Sequence, residues 1–213
     1  MVKSWYASRD ALYARRELAL EQPDPGILRK AQHGDERAFS IIVRAYERPV
    51  YNYVLRLVGD RALAEDLTQE VFLRVYQGLP GFSLRSRFTT WMFQVTKNRV
   101  LDELRALERR PRCIANIDDI PPLEVLDAPI ERAETISSLW RAVESLNVDL
   151  KMALLLRDIV GLSYMEIADS LEITLATVKW RIYKAREEVQ AGLVRDGITI
   201  ATAPLGAVAT ITE

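Results

Sequence analysis

The chain has 213 residues, 49% hydrophobic and 28% charged, the proportions of an ordinary globular protein. Lysine plus arginine (29) balances aspartate plus glutamate (30), so the formal charge of −1 gives no overall pull toward nucleic acid. One cysteine, Cys113, and one histidine, His33, exclude an intrachain disulfide and a Cys/His zinc site. The start MVKSWY lacks the apolar run of a signal peptide, and no stretch has the length of a membrane span. A reduced, cytoplasmic protein without membrane insertion is expected.

The balanced total hides segregated charge. Residues 84–112 hold eight cations against three carboxylates, whereas 113–135 hold six carboxylates against Arg132 alone. Helical periodicity runs from Pro25 to about Arg110 and returns from about Glu131 to Leu193. Between them, Pro111, Pro121, Pro122 and Pro129 leave no room for a regular helix. The pattern predicts an all-α protein: two small helical domains, 26–110 and 131–193, joined by an extended acidic, proline-containing linker over 111–130. Residues 1–25, with a candidate short helix over 8–20, and the tail 194–213 read as frayed ends, with a regulatory tail as the alternative.

In chain order, the first domain begins with a helix over 26–34, followed by one over 36–58 that Pro49 should kink or break after Arg48. A third helix, 61–77, turns Ala64, Leu67, Val71 and Val75 to one side and Asp66, Gln69 and Glu70 elsewhere. A Gly/Pro-punctuated loop precedes a fourth helix over 87–109. The segment 82–99 interleaves Phe82, Ser83, Arg85, Arg87, Phe93, Lys97, Asn98 and Arg99 with Phe88, Trp91 and Met92. Aromatic faces stack unpaired bases, cations track phosphates and small polar groups read base edges, which suits single-stranded nucleic acid. The alternative is a plain core segment, the better reading for Trp91.

In the second domain, Ser163 and Glu166 have capping-box spacing at a helix start. Glu172 and Ile173 make a turn, and Thr174 can cap a second helix that runs to about Ala191. Val178, Ile182, Ala185 and Val189 fall on one face of that helix. Thr177, Lys179, Trp180, Tyr183 and Lys184 fall on or near the other, with Arg181 and Arg186 to the sides. Between Val178 and Arg186 there are four cations and no carboxylate. A helix-turn-helix with such a face is suited to the major groove of duplex DNA.

Three motifs in order, 64–72 (AEDLTQEVF), 88–98 (FTTWMFQVTKN) and 162–168 (LSYMEIA) continuing through 177–181 (TVKWR), closely resemble the extracytoplasmic-function (ECF) group of bacterial sigma-70 family RNA polymerase sigma factors. The resemblance covers about 165 residues, from roughly Gly26 to Leu193. It implies a sigma region 2-like first domain, binding core polymerase and the −10 element. It implies a region 4-like second domain, binding the −35 element.

Matched residue by residue, the resemblance assigns Asp66, Gln69 and Glu70 to core polymerase. The 82–87 loop corresponds to the one that captures a flipped base, and Asn98 to the reader of the upstream edge of the −10 element. Thr177, Lys179, Trp180, Tyr183 and Lys184 would face −35 bases or nearby phosphates, with Arg181 and Arg186 as phosphate clamps. Trp180 stands where the family usually has a small serine, so its −35 sequence does not transfer by analogy. An anti-sigma factor is an implied partner.

No nucleotide-binding loop, metal cluster or catalytic dyad is evident, so neither a cofactor nor enzymatic activity is expected. The rival readings are a helix-turn-helix operator binder that acts without polymerase and a nuclease using Asp118 and Asp119. The first leaves the aromatic-basic segment unassigned; the second rests on carboxylates in a proline-rich tether.

Overall fold

A computed structural model describes residues 20–84, 86–109 and 130–198, without the side chains of 130–135. The candidate helix over 8–20, the 111–129 part of the linker, Arg85 and the tail beyond Ile198 lie outside these residues. Among the described residues there are eight α-helices and no strand. They are α1 (Pro25–Gln32), α2 (Glu36–Val58), α3 (Arg61–Gly78), α4 (Phe88–Arg109), α5 (Ile130–Glu144), α6 (Val148–Asp158), α7 (Tyr164–Leu171) and α8 (Leu175–Arg195). A 3-10 turn, Leu79–Gly81, follows α3.

Side-chain caps start most of these helices. The Asp24 carboxylate accepts from the amides of Gly26 (2.8 Å) and Ile27 (3.1 Å), with Pro25 in the first turn where its missing N–H costs nothing. Asp35, Asp60 and Asn147 cap α2, α3 and α6 in the same way. The capping box at α7 forms as its spacing predicts: the Glu166 amide donates to Ser163 Oγ and the Ser163 amide to Glu166 Oε2.

Pro49 does not break α2, which is a single helix through Val58. The i−4 carbonyl that a proline deprives of its partner belongs to Ala45, an exposed residue, so water can replace the lost bond. Helix α8 also runs a turn beyond the expected Ala191 and ends at Arg195.

Helices α1–α4 enclose an aromatic core. Tyr53 meets Phe93 edge-on at 5.5 Å, and Tyr46 meets Phe88 edge-on at the same separation. Helices α5–α8 bury Met152, Leu155, Leu156, Ile167, Val178 and Ile182. The two sets pack on each other, α4 against α7 and α2 against α6, which the expectation of two tethered domains did not include.

The α5–α8 contact depends on the absence of a side chain at Gly192, where a Cβ would lie 2.9 Å from the Ala142 Cβ. Gly192→Ala gains helix propensity but forces these helices apart. A net loss of about 1 kcal/mol is expected. Urea unfolding checks it, and adding Ala142→Gly should recover part of the loss.

Candidate nucleic-acid interface

The second domain presents its predicted face from α8. Val178, Ile182, Ala185 and Val189 are buried, which turns Lys179, Trp180 and Tyr183 to solvent. Trp180 and Tyr183 are 59% and 51% exposed, a large aromatic area turned to solvent. Thr174 Oγ1 caps the helix at the Thr177 amide (3.2 Å), and the two threonine hydroxyls lie 2.8 Å apart. Lys184 extends toward Glu187 (2.7 Å) on its own helix, and that hydrogen bond raises the lysine above its ordinary pKa.

The two side arginines differ from expectation. Arg181 pairs with Asp149 of α6 at 3.0 Å, and Arg186 with Asp158 at the other end of α6, at 2.8 Å. They tie α8 to α6. The carboxylates absent between Val178 and Arg186 arrive from another helix.

In the first domain, burial redistributes the predicted single-strand set. Phe93 is fully buried against Tyr53 and belongs to the core, contrary to the expectation of a base-stacking role. Phe82 is also buried, 4.9 Å from Trp91 and 5.9 Å from Phe88 between ring centroids. It anchors the loop instead of offering an open face. Ser83, Arg87 and Asn98 remain exposed. Arg87, Gln94 and Asn98 fall along one stripe of α4, and Gln94 is a polar member of that face that the motif reading passed over.

Lys97 and Arg99 are both engaged. The Lys97 ammonium lies 2.6 Å from Glu172, at the corner of the helix-turn-helix. Arg99, only 12% exposed, bonds Glu70 of α3 through Nε and Glu103 through Nη2, the latter at 2.8 Å. Its guanidinium therefore faces the acidic helix α3, where the motif reading expected it to face DNA. The hydrogen bond from Arg99 holds the Glu70 carboxyl below the usual carboxylate range.

Asp66 and Gln69 are exposed beside Glu70 on α3, as their spacing predicts. One turn on, Leu73 adds a 60% exposed apolar side chain to this polar face. Periodicity could have flagged it: Leu73 lies three residues beyond Glu70 and outside the Leu67–Val71–Val75 stripe. Among the described residues no cluster of three or more metal-ligating side chains occurs, and no helix is long and apolar enough to cross a membrane.

The described residues thus form two sets of helices, the second a helix-turn-helix with an exposed aromatic and basic face. Residues 42–110 match the family model for sigma-70 region 2, and residues 136–189 match the model for sigma-70 region 4. The chain is 30% identical over 183 residues to the RNA polymerase sigma-H factor of Pseudomonas aeruginosa, covering 81% of this chain and 95% of that protein. It is 33% identical over 178 residues to the ECF RNA polymerase sigma-E factor of Escherichia coli K12, covering 78% and 92%. Among solved structures, the fold is similar to CnrH in complex with the cytosolic domain of CnrY. That match has a TM-score of 0.62 at 22% identity, over 80% of this chain and 96% of that one. It is also similar to the sigma factor RpoE of Bartonella quintana in complex with the anti-sigma factor NepR, with a TM-score of 0.61 at 20% identity, over 74% and 98%.

The chain belongs to the sigma-70 family of RNA polymerase sigma factors, in its ECF group. This is a family of transcription initiation factors and not of enzymes.

Two substitutions separate core from surface. Phe93→Ala should cost about 3–5 kcal/mol in stability, as for other buried phenylalanines. Trp180→Ala should change stability by no more than about 0.5 kcal/mol, as for an exposed side chain. Denaturant unfolding of each variant measures both.

Proposed function

We propose that this protein docks on bacterial core RNA polymerase through α3, reads a −35 duplex element through α8, and steadies the unpaired −10 strand against α4 and the loop before it. The observation that carries the reading is the division of labour between domains. An exposed cation–aromatic helix face suits a major groove, and a separate polar-acidic face suits a basic protein partner. The α3 surface offers Asp66, Gln69 and Glu70 with Leu73 as an apolar anchor among them. Arg99 acts here as a positioning residue that fixes the Glu70 carboxylate.

For the −35 element, Lys179, Trp180, Tyr183 and Lys184 are the groups best placed to meet DNA, with Thr177 at the start of the helix. Trp180 offers a flat apolar face, which suits a thymine methyl or a sugar more than a hydrogen-bonding base edge. Arg181 and Arg186 tie this helix to Asp149 and Asp158 of α6, and would reach phosphates by exchanging these carboxylate partners. For the −10 element, Ser83, Arg87, Lys97 and Asn98 line the approach. Phe82 and Phe93 are buried beneath these residues.

Promoter opening in this scheme is trapping, not chemistry. Bases that unstack transiently are held, and the duplex equilibrium shifts toward the open form. This scheme calls on no catalytic group and no cofactor. Its site of action is the cytoplasm, and an anti-sigma protein is its expected regulator.

Transcription in vitro with purified core polymerase and a pool of promoter fragments tests the reading. Transcripts starting at a fixed distance from a shared pair of elements are expected only when the protein is present. Duplex binding with neither core binding nor transcripts would mark an operator binder instead.

Two variants should then separate the faces. Trp180→Ala should weaken binding to the selected −35 duplex about tenfold, at the scale of one lost base contact. Arg99→Gln should weaken core binding about three- to tenfold. A phosphate contact at Arg99 would instead leave core binding intact and lower the salt slope of DNA binding by about one.

A further inference from the structure

The start of α4 is held by a side chain from far earlier in the chain. Ser86 is the nearest hydroxyl, but its side chain and its amide both donate to the Ser83 carbonyl at 3.1 Å, closing a turn before the helix. The amide of Thr89, second residue of α4, donates instead to Gln22 Oε1 at 3.4 Å, across 67 positions of sequence. Gln22 returns the contact, its Nε2 donating to Thr89 Oγ1 at 2.5 Å. Thr89 is fully buried, so water does not reach it to replace either bond.

Gln22 is itself fixed. Leu20 packs against the core, and the Tyr46 hydroxyl donates to the Glu21 carbonyl. Tyr46 also meets Phe88, the first residue of α4, edge-on. Pro23 and Pro25 hold the residues before them extended, and Asp24 caps α1 directly after the strap.

The same part of the chain holds the far end of the loop. Gln32, the last residue of α1, donates from Nε2 to the carbonyls of Leu79 (3.2 Å) and Phe82 (2.8 Å). Burial of Leu28 and Ala31 seats α1 so that Gln32 lies beside the 3-10 turn. Between the two anchors Ser83, Leu84, Ser86 and Arg87 are exposed. Neither glutamine belongs to the motifs that carry the family resemblance.

We propose that Gln22 and Gln32 are positioning residues for −10 recognition: Gln22 fixes the first turn of α4, Gln32 fixes the exit of the 3-10 turn, and together they aim Ser83 and Arg87 at the unpaired strand. This rests on the assignment of that face to the −10 element. Side chains on a short loop discriminate bases only when the backbone beneath them is held to about 0.5 Å. Loss of one anchor leaves every strand-facing side chain in place but lowers the fraction of molecules in the competent pose, and recognition falls by that fraction.

The anchors differ in chemical sense, and the same substitution separates them. Gln22→Glu keeps an acceptor for the Thr89 amide and can also accept from its hydroxyl, at a helix start where negative charge is favourable. Gln32→Glu removes the donor and sets carboxylate oxygens against two carbonyls. Gln22→Glu should therefore behave as wild type, and Gln32→Glu should be as impaired as Gln32→Ala.

Two readouts on the full chain test this. In amide hydrogen exchange by NMR, without polymerase or DNA, Gln22→Ala should speed exchange at Thr89, and Gln32→Ala at Phe82 and Ser86. About three- to tenfold is expected, the scale of one hydrogen bond. In transcription with core polymerase, the selected promoter is compared with its single-base −10 variants. Both alanine variants and Gln32→Glu should reduce the ratio between best and substituted −10 sequences about three- to tenfold, on the same scale, with core binding and −35 duplex binding unchanged.

A lowered unfolding midpoint with a wild-type −10 ratio would show the glutamines to be ordinary stabilising contacts and overturn the proposal. So would wild-type exchange in both alanine variants, or a Gln22→Glu protein as impaired as Gln22→Ala. Failure of the sigma reading looks different: the wild type then gives no promoter-directed transcript, whatever the exchange rates show.

Discussion

The structure depends on how α4 is seated. Phe88, Met92, Phe93 and Val100 are buried, with Thr89 and Thr96 beside them, and they lock the helix against α2 and α3. The edge-on contacts of Phe93 with Tyr53 and of Phe88 with Tyr46 fix its rotation as well as its position. That rotation decides the functional assignments on α4. It turns Asn98 outward, aims Arg99 at Glu70, and brings Gln94 and Lys97 to the domain contact. Rolling α4 by one residue would bury polar groups and expose the aromatic stripe, at a cost of several kcal/mol.

Much of this was readable in the chain, for local reasons. Asp24, Asp35, Asp60, Asn147, Ser163 and Thr174 cap the helices they precede, because a short polar side chain satisfies amides a few residues away. The α8 face was legible from a 3.6-residue period alone: Val178, Ile182, Ala185 and Val189 go in, so Lys179, Trp180 and Tyr183 must come out. The α3 face follows from the same rule.

What was not legible depends on partners distant in sequence. Arg99 reads as a free cation until Glu70, 29 residues earlier, is brought beside it. Arg181 and Arg186 read as phosphate clamps until Asp149 and Asp158 of α6 are seen to pair with them. Phe93 stands in the same aromatic-basic run as the exposed groups, and only the packing of α4 on α2 shows it to be core. Arg56, in the middle of an apolar run of α2, gives no sequence sign that it stacks on Trp140. Charge counts along a chain locate basic segments; they do not show which cations are left for a ligand. Here Arg99, Arg181 and Arg186 all meet carboxylates from other helices.

The central claim is that one domain holds duplex DNA while the other holds unpaired bases. Permanganate footprinting tests it most directly, applied to a promoter that the wild-type protein selects together with core polymerase. The account predicts protected duplex at the upstream element and reactive, unstacked thymines at and just beyond the downstream one. Protection of both elements as intact duplex, with no reactive thymine, would contradict it.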